Sequence, residues 1–345
     1  MPEAPGRAAD HVAKIDALQA RLTAAVGALV SGDDWRRALE FAARFRARSF
    51  SNTLLIYVQH AAAYEVGRVQ HPTPTYVAGY HQWGTLGRQV LRGHPGYMIL
   101  APVTRRTAAR TPETGPWRTL RRREAPAPGE TVRTALVGVR PAYVWDVSST
   151  TGAPLPRVPE PRLLRGHAPD GLWEGLAAQV TSRGFALRPA PDARALGGAN
   201  GLTDYAAGTV AVRADMDDAA RVKTLAHELA HVMLHGPGNT GAAAHRGIAE
   251  VEAESVALMV GAAHGVDTSQ YTVPYVAVWA TGVAGRSPTE VVAATAERVR
   301  TTAVAILSGL NTHQVATGDP PGLERTSHLP SHQAPPAPGL EAVSR

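Results

Sequence analysis

Cysteine is the most informative absence, since it does not occur in the 345 residues. A chain without cysteine forms no disulfide, no thiolate metal site and no cysteine nucleophile, so His, Asp or Glu would have to hold any metal ion. Lysine is almost absent too, with only Lys14 and Lys223. Arginine therefore carries nearly all of the positive charge.

Long hydrophobic runs are also missing. The longest apolar stretches, such as residues 256–263, are far shorter than the ~20 residues that cross a bilayer. The start of the chain lacks the charged and apolar blocks of a secretory signal. We therefore expect a soluble, cytoplasmic protein with no membrane partner, whose oligomeric state the sequence leaves open.

Charge is unevenly distributed along the chain. Residues 1–150 hold 20 Lys and Arg against 11 Asp and Glu, whereas the rest of the chain holds 15 against 18. A basic first half joined to a slightly acidic second half predicts an anionic partner for the first half only, although an Arg-rich solvated surface would produce the same pattern.

The periodicity of apolar residues predicts an α+β fold in two domains. At ~150 residues per domain the length corresponds to two domains, and a hydrophobic content of 44% is enough for a core. Spacings of three and four predict helices, while residues 97–147 contain the strand candidates of a small sheet and an Arg-rich basic loop at 104–130. The predicted division is a domain at 1–155, a linker at 156–170, a domain at 171–310 and a disordered tail at 311–345.

One short motif carries most of the chemical information, because residues 227–231 read His-Glu-Leu-Ala-His. Residues four apart share one face of a helix, so His227 and His231 can direct ring nitrogens at one metal ion, for which we predict Zn²⁺. Glu228 lies beside the first histidine, where a carboxylate can act as the general base for an activated water. The alternative is a buried histidine pair without catalytic function.

A third ligand must come from elsewhere in the chain, since catalytic zinc sites use three protein ligands and leave one position open. The downstream segment Glu250-Val-Glu-Ala-Glu offers three carboxylates. Glu252 is our candidate, and Glu250 and Glu254 stay open as alternatives. On a helix, residues two apart point in different directions, so Glu252 and its two neighbours cannot all face the metal and only one of them can. Upstream, residues 208–213 are predicted to be an edge strand along which an extended peptide could pair.

The zinc helix followed by Val-Glu-Ala-Glu-Ser-Val-Ala resembles the gluzincin branch of metallopeptidases, and is most similar to the ImmA/IrrE-type family. The resemblance covers roughly residues 170–265 and implies a zincin-like metallopeptidase domain. It implies that His227 and His231 bind the metal, that Glu228 is catalytic and that Glu252 is the third ligand. Glu254 departs from the family, which often has Asn there.

The first half resembles the N-terminal domain of the ArdC-like antirestriction family, which binds single-stranded DNA. The stretches that carry this resemblance are residues 50–57, 80–96 and 143–152. The family joins such a domain to a metallopeptidase-like one, which is the order found here. His94-Pro95 replaces a commonly charged pair, and the Arg-rich insert at 104–130 is unusual.

The resemblance implies single-stranded DNA as a partner, bound by arginines that neutralise phosphates and by aromatic rings that stack on bases. The residues that we predict to contact DNA are Arg36, Arg44, Arg48, Trp83, Arg88 and Arg92. Other aromatic candidates, any of which could instead fill the core, are Trp35, Tyr57, Tyr80 and Tyr97.

The prediction is therefore a single-stranded-DNA-binding zinc metallopeptidase related to antirestriction and mobile elements, with a protein or peptide as its substrate. Two alternatives remain open. One is an ImmA/IrrE-type protease that cleaves a repressor and whose first domain binds protein. The other is a DNA-binding protein whose zinc site is only structural.

Overall fold

A computed structural model of the chain describes residues 5–121, 124–156, 166–236, 246–268, 271, 279–280 and 285–323. Their fold is mixed helix and sheet, which confirms the predicted α+β class. The helices are α1 (Pro5–Gly27), α2 (Gly32–Arg44), α3 (Phe50–Glu65), α4 (Tyr80–Thr85), α5 (Leu172–Ser182), α6 (Asp218–Leu234), α7 (Arg246–Ala263) and α8 (Pro288–Ser308). The strands are β1 (Val77–Gly79), β2 (Arg88–Val90), β3 (Tyr97–Ala109), β4 (Arg118–Thr119), β5 (Thr131–Asp146), β6 (Thr150–Gly152), β7 (Ala186–Ala190), β8 (Gly201–Asp204) and β9 (Thr209–Arg213).

The chain divides into two compact units. Among the described residues, unit 1 is formed by residues up to Ile99 and from Tyr143 to Leu323, and unit 2 by Leu100–Ala142. This division does not follow the predicted boundary near residue 155. Most of the predicted linker lies outside the described residues, so the domain boundaries remain a prediction.

The core of unit 1 joins the N-terminal helix α2 to the C-terminal helices. Helix α2 begins at a capping box, in which the Asp34 N–H donates to Ser31 Oγ at 3.1 Å. One residue later, the fully buried Trp35 packs its ring edge-on against Trp279, with 5.4 Å between ring centroids. Its Nε1 donates to Ser255 Oγ on α7 at 2.9 Å. Trp35 is therefore a core residue rather than a surface aromatic.

A three-stranded sheet in unit 1 packs against α6. Its central strand is β9, which pairs in parallel with β7 and antiparallel with β8. The prediction of an edge strand at 208–213 was wrong, because β9 carries the buried residues Val210 and Val212 and has a neighbour on each side. The edge strand next to α6 is β8.

Residues 311–323 differ from the predicted disordered tail. The Val315 N–H donates to the Ala263 carbonyl at 2.7 Å, and the Val77 N–H donates to the Gly318 carbonyl at 2.8 Å. A Pro- and Gly-rich composition does not prevent a short segment from pairing its backbone with neighbouring elements. Residues 324–345 of the predicted tail lie outside the described residues.

The described part of unit 2 contains the outer part of β3, strand β4 and the beginning of β5. Arg118 pairs with Glu130 at 2.7 Å and also with Glu124. The predicted basic loop at 104–130 is thus partly strand, with its central arginine neutralised by acidic residues of the same segment.

Across both units, no described helix has the length and apolarity needed to cross a membrane.

Candidate functional site

His227 and His231 lie one turn apart on α6. The helix begins after Asp217, whose carboxylate accepts the Ala220 N–H at 2.8 Å, and one side of it buries Leu225 and Leu229 in the core. The histidines occupy another side, and their Nε2 atoms are 3.0 Å apart. As predicted from the spacing, the helix brings the two ring nitrogens together.

Glu250, on α7, completes a group of three possible ligands with the two histidines. One of its carboxylate oxygens lies 3.5 Å from His227 Nε2 and 3.7 Å from His231 Nε2. Ligand atoms at 2.0–2.2 Å from a tetrahedral Zn²⁺ are about 3.3 Å from one another. The nitrogen and oxygen donors and their separations therefore fit a zinc ion.

Glu252, the predicted third ligand, does not lie in this group. Its carboxylate accepts from Arg298 of α8 and lies 3.0 Å from Nε2 of His235. The reason is helical periodicity, since Glu250 and Glu254 are one turn apart and share a face, whereas Glu252 lies on another side of α7. Of the three glutamates left open by the sequence, the structure therefore places Glu250, and not Glu252, beside the two histidines.

The acidic residues beside the histidines alter the charges of the metal-free site. Burial disfavours the charged form of His227, but hydrogen bonds with Glu250 and Glu254 outweigh it and raise the pKa of His227 to about 9. Hydrogen bonds from His227 and His231 hold the pKa of Glu250 well below its usual range. Glu250 is therefore ionised, which is the form that binds a cation, and a metal ion would displace the proton of His227.

Glu228 is buried beside the edge strand β8. Its Oε2 accepts a hydrogen bond from Thr203 Oγ1 at 2.7 Å. Gly201 provides the room, because a Cβ at this position would lie 2.6 Å from Glu228 Oε1 and 2.7 Å from Thr224 Cγ2. Sequence reasoning did not single out Thr203 or Gly201, because nothing local in the sequence links them to residue 228.

Three of the side chains predicted to contact DNA form hydrogen bonds or ion pairs within the protein. Trp83 is fully buried and donates from Nε1 to the Trp145 carbonyl at 3.0 Å, so its ring cannot receive a base. Arg48 is buried, where it pairs with Asp319 and donates to the Val77 carbonyl. Arg88 donates to Thr150 Oγ1 at 2.9 Å and joins β2 to β6. Trp83 and Arg48 are therefore buried within the protein, whereas Arg88 is half-buried.

The other three predicted contacts are closer to the surface. Arg36 pairs with Glu40 at 2.9 Å and with Asp33 on its own helix, so much of its charge is already compensated. Arg44 and Arg92 are exposed, and within the described ranges neither forms an ion pair. They remain available to a phosphate.

Two exposed tyrosines form an aromatic surface with a tryptophan. The sequence did not indicate that these two tyrosines lie together. Tyr80 and Tyr143 are 58% and 44% exposed, and their rings lie on Trp145 with centroid distances of 6.0 and 6.4 Å. Gly96 makes this packing possible, because a Cβ there would lie 2.8 Å from the Trp145 ring. A cleft of about 450 Å³ reaches the same glycine and is lined by residues that include Arg21 and Arg68.

Comparison with known proteins yields no matching family model and no matching curated protein. Among solved structures, the chain is similar to the metal-free crystal structure of the antirestriction ArdC protein from the R388 plasmid, with 18% identity, a TM-score of 0.45 and coverage of 76% of this chain and 84% of that one. It is also similar to the Mn(II)-bound structure of the same protein, with 17% identity, a TM-score of 0.41 and coverage of 76% and 88%.

Proposed function

We propose that this chain is a zinc-dependent hydrolase that cleaves peptide bonds. The observation that carries the proposal is the triangle of His227, His231 and Glu250, with the buried carboxylate of Glu228 one residue from the first histidine. Two imidazoles and one carboxylate are a common ligand set of catalytic zinc, and they leave one position for a small molecule.

In the proposed mechanism, His227, His231 and Glu250 hold the ion. Held there, a zinc ion would supply a water whose pKa is lowered towards ~7 and would polarise the substrate carbonyl. Glu228 serves as the general base: Thr203 fixes its Oε2, while its Oε1 accepts no hydrogen bond from the described residues and can take up a proton. Burial keeps this carboxylate away from bulk solvent, so it acts on a water held beside it.

We further propose that the substrate is an extended polypeptide that pairs with β8. This strand is one of the two edges of its sheet and adjoins Glu228 through Thr203. An extended peptide bonds to an exposed edge through its main chain, which places a scissile carbonyl next to the strand without requiring one particular side chain. Leu202 is half-exposed on the same strand and offers an apolar contact.

Glu250→Gln is expected to weaken Zn²⁺ binding more than 100-fold, because the variant loses a charged ligand rather than a group that only orients one. The measurement is competition for Zn²⁺ between the purified chain and a chromophoric chelator. Glu174→Gln removes an exposed carboxylate on α5 and is the matched control, with unchanged affinity expected. If Glu250→Gln bound zinc like the unaltered chain while His227→Ala did not, Glu250 would not be the third ligand.

A second proposed activity is binding of single-stranded DNA by unit 1. Specific observations favour it: the exposed rings of Tyr80 and Tyr143, and the arginines Arg21 and Arg68 that line the neighbouring cleft. Stacked rings take any base, and arginines neutralise phosphates. Together with the resemblance of the sequence to the ArdC-like family, this makes antirestriction of incoming DNA the proposed setting.

Tyr143→Ala is expected to raise the Kd for a labelled single-stranded oligonucleotide by about 5–150-fold, since one base stack contributes ~1–3 kcal/mol. Fluorescence anisotropy at several salt concentrations measures this. Tyr64→Ala is the control, because Tyr64 is 44% exposed as well but makes no aromatic contact with the described residues. No salt-dependent binding by the unaltered chain would instead favour the repressor-cleaving alternative, whose first domain recognises protein.

A further inference from the structure

The two histidines of the metal centre are each held at the ring nitrogen that faces away from it. His227 Nδ1 lies 3.3 Å from Glu254 Oε2, and the other oxygen of Glu254 binds Lys223 Nζ at 2.8 Å. On the other side, His231 Nδ1 lies 2.9 Å from Nδ1 of His235. Both ligand histidines thus have a polar partner at the nitrogen that does not point to the metal centre.

His235 links His231 to the carboxylate of Glu252. His235 Nε2 lies 3.0 Å from Glu252 Oε2, and Arg298 Nε donates to Glu252 Oε1 at 2.7 Å. The side chains of His235 and Glu252 are 6% and 5% exposed. A buried carboxylate requires partners for its charge, and the guanidinium and the imidazole supply them.

Hydrogen-bond chemistry allows one arrangement of protons in this chain when His231 binds a cation through Nε2. The proton of His231 must then be on Nδ1, which donates to Nδ1 of His235. Because His235 accepts there, its own proton is on Nε2 and is donated to Glu252, which only accepts when ionised. On the other histidine, Nδ1 of His227 donates directly to Glu254.

We propose that the three glutamates of α7 have three different tasks at one metal centre: Glu250 binds the ion, Glu254 orients His227 directly, and Glu252 orients His231 through His235. The inference rests on the metal centre proposed above. Lys223 and Arg298 hold the two orienting carboxylates in place. Glu252, Glu254 and His235 are positioning residues, since none of them touches the ion.

The test is a set of Zn²⁺ affinities of the full chain, measured by chelator competition. Glu254→Gln and Glu252→Gln are each expected to weaken Zn²⁺ binding about 10–100-fold. The double variant of both should show the product of the two effects, because each acts on a different histidine. Glu252→Gln combined with His235→Phe should bind no more weakly than the worse single variant, since both break the same chain of contacts.

Arg300→Gln is the matched control on α8. It removes the Arg300–Glu297 pair, at 2.6 Å, which makes no contact with the histidines, and should leave Zn²⁺ affinity unchanged. Thermal unfolding of the metal-free variants identifies any that fail to fold. Should His235→Phe be one of them, Arg298→Gln replaces it in the double variant, because it interrupts the same chain at its other end.

A spectroscopic measurement tests the proton positions independently of affinity. In ¹⁵N NMR spectra of the zinc-loaded chain, His227 and His231 are expected to carry their protons on Nδ1 and His235 on Nε2. A proton on Nδ1 of His235, or unchanged affinity in both Glu252→Gln and Glu254→Gln, would overturn the inference and leave the metal centre standing. Failure of the unaltered chain to bind Zn²⁺ would overturn both.

Discussion

Replacing Glu228 with Gln is expected to slow zinc-dependent peptide hydrolysis by about 10²–10⁴-fold, which is the usual contribution of a positioned general base. The amide cannot take up the proton that the carboxylate accepts. Glutamine has the same size, and its carbonyl oxygen can still accept the hydrogen bond from Thr203, so the fold and the Zn²⁺ affinity should be unchanged. Cleavage of a degenerate peptide library by the zinc-loaded chain, followed by mass spectrometry, measures the rate.

His227→Ala distinguishes catalysis from a structural role of the metal. It should lose both Zn²⁺ and hydrolysis, whereas Glu228→Gln should lose hydrolysis alone. If every activity of Glu228→Gln equalled that of the unaltered chain while His227→Ala lost the metal and unfolded, the site would be structural and the proposed hydrolase would be rejected.

Trp35→Ala is expected to lower the free energy of unfolding of unit 1 by about 3–5 kcal/mol, the usual cost of deleting a large buried aromatic side chain. The variant loses the packing against Trp279 and the hydrogen bond to Ser255. Urea denaturation followed by far-ultraviolet circular dichroism gives the value.

Trp35→Phe is the companion variant, because it keeps an aromatic ring but loses the indole N–H. Its loss in free energy of unfolding should be smaller. Comparing this loss with those of Ser255→Ala and of the double variant separates the contribution of the hydrogen bond from that of the packing. A loss below about 1 kcal/mol in Trp35→Ala would mean that α2 does not contribute to the core of unit 1.

The sequence predicted the two histidines because their geometry is local. Four residues of any regular helix bring His227 and His231 to one face, whatever surrounds the helix. The third ligand depends instead on how α7 is rotated about its own axis. That rotation is set by contacts far apart in the chain, such as Trp35 with Ser255 and Arg298 with Glu252.

The sequence is equally unable to predict which aromatic rings are buried. Trp83 and Tyr80 are three residues apart on α4, and neither composition nor spacing distinguishes the buried ring from the exposed one. Their difference depends on a residue far along the chain, because the Trp145 carbonyl at the end of β5 accepts the indole N–H of the buried Trp83. The edge strand was misplaced for a comparable reason, since Val210 and Val212 predict a strand but not which strands pair with it.

The packing of α2 against α7 restricts how such a protein can evolve. The two proposed activities, binding of nucleic acid and hydrolysis, invite comparison with modular proteins, in which halves are exchanged by recombination. Here, a fragment beginning after residue 155 would lack Trp35 and expose the apolar side of the helix that supplies Glu250. Recombination at that point would separate α7 from part of its own core, so the two halves are expected to be inherited together.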